Sequence, residues 1–301
     1  MTSSTALLTT ENLSKRYVAD AALALDSVTL RVAAGEVYGF LGANGAGKST
    51  IIRTLLGFLK PTSGKASICD LDIVKDTVEV KRHVGYLSGD VALYPKVTGN
   101  ELFAYLSKLQ QKDTTAYLKE LVQRFEAEPE KQIAELSKGN RQKIGVIQAL
   151  MHQPDVLILD EPTSGLDPLM QEVFYKTIRE ASKRGAAVFV SSHNLTETQR
   201  MCDRIGIIKH GKLIREQSIK DDVLLGAPVF RIALSNAKQA EALHTNTALK
   251  VVSVQGSTVA VQPSGTIADA LKALSLCDIK SFATEQINLE DEFLEYYGDG
   301  A

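Results

Sequence analysis

The sequence predicts an α/β fold with a parallel-sheet core, followed by a small α+β domain. Three observations carry this reading. From about residue 25 to 215, short apolar runs alternate with longer helix-periodic stretches, the pattern of a parallel sheet covered by helices. The strongest runs, Val37 to Leu41, Val156 to Leu159 and Ala187 to Val190, all end at polar, glycine-rich or charged residues. After Gly226-Ala227-Pro228 the character changes to shorter alternating runs separated by turn residues.

Composition narrows the classes. With 301 residues, of which 44% are hydrophobic, the chain can bury the cores of two domains. A formal net charge of -2 lacks the basic footprint of nonspecific nucleic-acid binding, so no nucleic acid is expected as a partner. Cys69, Cys202 and Cys277 are far apart without a CxxC pair, and suggest neither a disulfide framework nor a zinc site. A reducing cytoplasm fits that usage. The N-terminus, MTSSTALLTTENL, lacks a basic segment followed by an apolar core, and no window approaches eighteen uninterrupted apolar residues. The chain is therefore expected to be neither secreted nor membrane-spanning by itself.

Taken in order, the run Val37 to Leu41 reads as a strand leading into Gly42-Ala43-Asn44-Gly45-Ala46-Gly47-Lys48-Ser49, which matches GxxxxGK[ST]. A helical run, Thr50 to Leu59, follows. Residues 99 to 152 carry helical patterns, Leu102, Tyr105, Leu106 and Leu109 and then Ile144, Ile147 and Met151, without a convincing strand between them. They read as a helical insertion. Val156 to Leu159 leads into Asp160-Glu161, and Ala187 to Val190 into Ser191-Ser192-His193. Ile205 to Ile208 and Leu213-Ile214 flank Lys209-His210-Gly211-Lys212 as a closing hairpin. The tail reads as a strand (Val229 to Leu234), a helix (Ala237 to Leu243), two strands (Val251 to Val254 and Thr258 to Val261), a helix (Ile267 to Leu274), a strand near Ile279 to Ala283, and a helix (Leu289 to Tyr296). The expected domains are 1–225, with the helical subdomain at about 98–152, and 226–301.

In open α/β sheets ligands collect beyond the carboxyl ends of the strands, and the chemistry-bearing residues fall there. The glycines of the loop let the backbone wrap phosphates closely with its N–H groups, and the helix N-terminus behind adds partial positive charge. Lys48 then bridges the β- and γ-phosphates, and the Ser49 hydroxyl ligates Mg²⁺. Asp160 and Glu161 are two carboxylates at the end of a buried apolar strand, where uncompensated charge is costly. Mg²⁺ is a natural partner for Asp160, leaving Glu161 to polarise a water as general base. Capping of a solvent-facing strand end is the plainer reading of the same pair.

With these motifs in this order, residues 10 to 215 resemble the ATP-binding subunit of an ABC transporter. The resemblance implies a P-loop ATPase fold with an antiparallel β subdomain. Gly42 to Thr50 corresponds to Walker A, so Gly42, Asn44, Gly45, Gly47, Lys48, Ser49 and Thr50 are implied in ATP binding, with Ser49 and Asp160 on the metal. Tyr17 matches the aromatic that stacks on adenine; Asp160 and Glu161 end Walker B; Asp167, in Ser164-Gly165-Leu166-Asp167, matches the D-loop; His193 matches the switch histidine. Taken singly, Tyr17 and His193 read as ordinary packed residues. Leu136-Ser137-Lys138-Gly139-Asn140 resembles the signature LSGGQ, with Lys138 for the first glycine and Asn140 for the glutamine. Ser137 can cap the helix that begins near Asn140 while Gly139 opens its backbone to an oxyanion, and both readings stand.

In that family the signature faces the Walker A loop of a second subunit. The chain carries one of each, so the resemblance implies a second nucleotide-binding domain, a homodimer being simplest, and a separate transmembrane permease subunit. ATP and Mg²⁺ are the implied ligands, and the implied location is cytoplasmic, peripheral on the inner face of the cell membrane. One departure stands out: Gly89 occupies the Q-loop position, with Asp90 as a candidate substitute on the metal. Lys138 reads equally as a cation near the γ-phosphate and as a solvent-facing side chain. The appended tail is similar to those of bacterial exporter ATPases for drugs, antibiotics or lipids, and reads as a stability, dimerisation or regulatory element. The alternatives are a soluble ABC-type ATPase with a non-transport role, or a nucleotide-regulated binding module.

Overall fold

A computed structural model of the chain describes residues 5–18, 21–219, 229–236, 239, 243 and 246–285. The chain divides into two compact units, Met1–Ile219 and Lys220–Ala301.

The first unit is built on a parallel sheet. Its strands are β3 (Val37–Leu41), β6 (Val84–Leu87), β7 (Val156–Asp160), β8 (Ala187–Ser192), β9 (Arg204–Lys209) and β10 (Lys212–Ser218), and their spatial order is β10-β9-β3-β8-β7-β6. All neighbours run parallel except the β9–β10 hairpin. Every residue of β3 and β8 is buried, which is why these strands are unbroken apolar runs instead of alternating ones. Phe189 anchors the centre, stacked with Tyr38 and tilted against Phe40 at 5.3 Å between centroids. Each such fully buried side chain contributes about 1.5–3 kcal/mol.

A second, antiparallel sheet takes the order β2-β1-β4-β5, from β1 (Ala6–Lys15), β2 (Leu25–Ala33), β4 (Ser63–Ile68) and β5 (Leu71–Asp72). Leu8, Leu13 and Leu30 from this sheet share one core with Ile51, Ile52 and Leu55 of α1 (Lys48–Leu55) and with Phe189. The antiparallel subdomain and the parallel core are thus layers around one hydrophobic centre.

Helix α1 is shorter at its end than the run Thr50 to Leu59 suggested. Gly57, at φ +71°, leaves the helix, and the N–H groups of Phe58 and Leu59 both return to the Arg53 carbonyl. That is a C-terminal turn of the kind glycine permits, closing the helix before Pro61. After α2 (Thr77–His83) comes β6, a sheet-edge strand too short for the sequence pattern to single out. The insertion contains α3 (Gly99–Gln110), α4 (Thr115–Arg124), a 3₁₀ turn (Ile133–Glu135) and α5 (Lys138–Leu150), with only an isolated bridge between Thr98 and Gln132. Helix α3 starts in a capping box: Thr98 Oγ1 accepts from the Glu101 N–H and Glu101 from the Thr98 N–H. Two further helices, α6 (Pro168–Lys183) and α7 (Leu195–Met201), flank β8 along the chain.

The second unit contains an antiparallel sheet of order β12-β13-β11-β14, from β11 (Val229–Leu234), β12 (Leu249–Gln255), β13 (Thr258–Pro263) and β14 (Ile279–Glu285), with α8 (Ile267–Leu274). Phe230, Ile232, Val259, Val261, Ala270 and Leu274 form its core. The expected helix at Ala237 to Leu243 falls mostly outside the described residues, and the Gly226-Ala227-Pro228 junction and the helix at Leu289 to Tyr296 fall wholly outside them.

Candidate functional site

The carboxyl ends of β3 and β7 open onto one cavity of about 220 Å³. It is lined by Ala24, Ala43, Asn44, Gly45, Gly47, Lys48, Ser49 and Thr50 together with Asp160 and Glu161. The loop wraps tightly there for steric reasons. A Cβ on Gly42 would lie 2.7 Å from the Ile208 carbonyl oxygen, and one on Gly47, which has φ +118°, would lie 2.8 Å from that of Ala24. Gly47 is the N-cap of α1 and supplies no side-chain cap, so the first-turn N–H groups have none from that residue and keep their attraction for an anion.

Lys48 crosses the cavity almost out of solvent, 7% exposed. Its Nζ donates to the carbonyls of Gly42 at 2.5 Å and Ala43 at 3.3 Å, and lies 3.7 Å from Glu161 Oε1. Burial lowers the lysine pKa, opposed by the charges of Glu161 and Asp160. The ammonium is held where a further negative group would relieve an unfavourable environment.

Asp160 accepts a short hydrogen bond from the Ser191 hydroxyl of the neighbouring strand. Glu161 adopts φ +45°, a left-handed conformation uncommon outside glycine, with its N–H on the Ser191 carbonyl at 3.1 Å. Both of its carboxylate oxygens lie 2.9 Å from His193 Nδ1, so the structure joins the histidine after β8 to the acid after β7. Ser49 and Asp160 provide a hydroxyl and a carboxylate, the hard oxygen donors suited to Mg²⁺. Tyr17 stands at the rim: its hydroxyl is 3.2 Å from Thr50 Oγ1 and the residue is 55% exposed. Gly89 faces this region as well, since a Cβ there would lie 3.5 Å from Asp160 Cγ. Asp90 does not line the cavity.

Ser137, Gly139 and Asp167 lie outside the cavity lining. Ser137 caps α5, its Oγ accepting the Asn140 N–H at 3.2 Å, and Asp167 caps α6 through the Met170 N–H at 3.0 Å. The two segments touch. A Cβ on Gly139 would lie 3.0 Å from the Gly165 carbonyl oxygen, and the stem of exposed Lys138 passes beside Gly165. The amide of Gln142, 3% exposed, donates to the Pro162 carbonyl at 2.7 Å. Three participants escape sequence reasoning. Ala24 carries no chemical signal, while Gln142 and Ser191 act through contacts that no local spacing announces.

Comparison with known proteins places these residues in a family. The model of the ABC transporter family matches residues 25–164. The chain is 34% identical over 284 residues to the uncharacterised ABC transporter ATP-binding protein YhcH of Bacillus subtilis, covering 91% of each chain. It is 36% identical to the bacitracin transport ATP-binding protein BcrA of Bacillus licheniformis, covering 70% of this chain and 69% of BcrA. Among solved structures it is similar to the dimeric bacterial ABC transporter cassette MJ0796, with a TM-score of 0.62 and 25% identity, covering 70% of this chain and 98% of the cassette.

Proposed function

The chain belongs to the ABC transporter ATP-binding proteins, ATPases that power transport, and we propose that two copies enclose two ATP molecules and drive export through a separate permease. The observation that carries the reading is the meeting of Lys48 and Glu161 in the cavity of one glycine loop, with His193 bonded to Glu161.

In this reading the loop N–H groups around Gly42, Asn44, Gly45 and Gly47 bind the phosphates, joined by Thr50. Lys48 leaves the carbonyls of Gly42 and Ala43 for the β- and γ-phosphate oxygens, exchanging a neutral partner for a charged one. Ser49 and Asp160 hold Mg²⁺, which when bound neutralises charge on the phosphates. Glu161 takes a proton from the attacking water, and His193 orients that carboxylate and reaches toward the γ-phosphate. Tyr17 supplies a flat apolar face for adenine at the rim.

Ser137 and Gly139 are left for a second copy. They stand at the N-terminus of α5, outside their own cavity, and cassettes of this family pair. Head-to-tail pairing brings them to the neighbour's nucleotide, with Asp167 at the contact. Among the described residues no helix is long and apolar enough to cross a membrane; in this reading a separate permease spans it, and the chain docks on its inner face as the family's ATP-binding subunits do. The name of BcrA supports a drug or antibiotic cargo.

The test is ATP hydrolysis by the purified chain with Mg²⁺ beside Glu161→Gln, repeated with any co-purifying permease. Loss of a general base lowers turnover about 10²- to 10⁴-fold while ATP remains bound. Turnover equal to wild type removes Glu161 from catalysis. Light scattering of the variant checks the pairing: it dimerises with ATP, and a strictly monomeric species at saturating ATP refutes the dimer.

A further inference from the structure

A second group of ligand-forming side chains lies at the opposite end of the parallel sheet from the phosphate loop. His83 precedes β6 and Asp155 precedes β7, two strands paired in register from Val84 and Val156. Cys69 comes from the antiparallel layer, in the turn between β4 and β5. One ligand atom from each of the three lies within 4.8 Å of the other two, and His83 Nδ1 is 2.6 Å from Asp155 Oδ2. None of these residues lines the nucleotide cavity.

The turn makes the cysteine conspicuous. Ile68 pairs with Leu71, so Cys69 and Asp70 are the central residues of a two-residue hairpin, with φ of +50° and +63°. Such turns favour asparagine or glycine, which adopt the left-handed region at low cost. A cysteine gives the turn nothing in return. Its backbone is fixed by an N–H bond to the Leu7 carbonyl at 2.8 Å, so the thiol is presented from a rigid point.

Two chemistries can use a cysteine, a histidine and an aspartate: a thiolate nucleophile or a metal ion. Cys69 is partly buried against the hydrophobic core with the carboxylate of Asp155 close by, surroundings that disfavour a free thiolate nucleophile. Those same surroundings favour a cation. We propose that Cys69, His83 and Asp155 bind one zinc-class divalent ion.

The donor set is sulfur, nitrogen and oxygen, which suits Zn²⁺ and similar ions and excludes Mg²⁺, a cation that demands oxygen. Metal–ligand bonds of about 2.0–2.3 Å put tetrahedral ligands roughly 3.3–3.8 Å apart. The Cys69 sulfur therefore closes in by up to about 1 Å, while the His83–Asp155 pair opens by roughly 0.7 Å to admit the ion. Both side chains have room to do so, at 34% and 53% exposure. The bound ion ties the β4–β5 turn to the starts of β6 and β7, so it fastens the antiparallel layer to the parallel one. This site is independent of the nucleotide reading.

The probe is Co²⁺, titrated into the full chain after removal of metals by chelation and without nucleotide. One equivalent produces a thiolate-to-cobalt charge-transfer band, and Zn²⁺ displaces it. The band is lost in Cys69→Ser and retained in a Cys202→Ser, Cys277→Ser double variant. In His83→Gln, affinity falls at least about tenfold, since even residues that only support metal ligands are worth that much. Zn²⁺ raises the thermal midpoint of wild type and leaves that of Cys69→Ser unchanged. Absence of the band at one equivalent, or its persistence in Cys69→Ser, overturns the proposal. If Cys69→Ser does not fold, the His83→Gln titration decides: affinity equal to wild type refutes the site.

Discussion

Replacing Lys48 by methionine separates what the lysine does for the fold from what it does for the ligand. The ammonium lies 3.7 Å from Glu161, so at an effective dielectric constant of 20 the gross attraction is about 4 kcal/mol. Burial nonetheless outweighs it, because the pKa is lowered from the ordinary 10.5. Below the folded pKa the group is charged in both folded and unfolded chains, and its full penalty is present; as pH rises from there toward 10.5 the penalty fades. Stability of the nucleotide-free wild type therefore rises with pH through that window. Methionine keeps the length of the stem and removes the charge. Nucleotide-free Lys48→Met is expected to be as stable as wild type or more so at neutral pH, and to lose that pH dependence. Its affinity for ATP falls about 10- to 150-fold, the worth of a hydrogen bond to a charged group at 1.5–3 kcal/mol. Urea unfolding at two pH values and isothermal titration with Mg²⁺-ATP measure both effects. Destabilisation of the nucleotide-free variant by more than about 1 kcal/mol would show that attraction to Glu161 and the bonds to the Gly42 and Ala43 carbonyls together outweigh burial, and would refute the reasoning.

Gly89→Gln fits without strain, since the nearest atom to a Cβ there is the Asp160 carbonyl oxygen at 3.4 Å. Stability should change by less than about 0.5 kcal/mol, while the Mg²⁺ concentration needed for nucleotide to raise the thermal midpoint falls. An unchanged Mg²⁺ requirement means that position 89 does not reach the metal. Gly85→Ala is the opposite case: its Cβ would lie 2.1 Å from the Ala149 carbonyl oxygen and 2.7 Å from Pro154 Cγ, so backbone has to move. A loss of about 1–3 kcal/mol is expected in urea unfolding, and a loss under 0.5 kcal/mol would mean that the end of α5 yields freely.

Legibility in the sequence followed burial. β3, β7 and β8 are buried along nearly their whole length, so their apolar runs are continuous, and β3 and β7 end at the cavity. The loop Gly42 to Ser49 was equally plain, because backbone wrapping and a cation demand particular residue types at fixed spacing. β6 was missed: Val84–Leu87 is four residues at a sheet edge, below the length at which a pattern separates from its neighbours. The antiparallel layer entered only through the family resemblance, although β2 alternates buried and exposed residues along much of its length. The contacts of Gln142 with Pro162 and of Ser191 with Asp160 join segments 20 and 31 positions apart, and nothing local encodes them. Cys69, His83 and Asp155 were invisible for the same reason. Sequence spacing searches for ligands close along the chain, whereas here a turn, a helix end and a strand start converge only on folding.

The buried amide of Gln142 carries a last implication. It is on the first turns of α5, the helix that Ser137 opens, and it grips the chain immediately after Glu161. In the proposed head-to-tail pair, the start of this helix would face the neighbour's nucleotide while Gln142 steadies the chain beside Glu161 in its own cavity. In that pair, displacement of the Glu161 loop would reach the start of this helix through the Gln142–Pro162 hydrogen bond and the adjoining contact of Gly139 with Gly165.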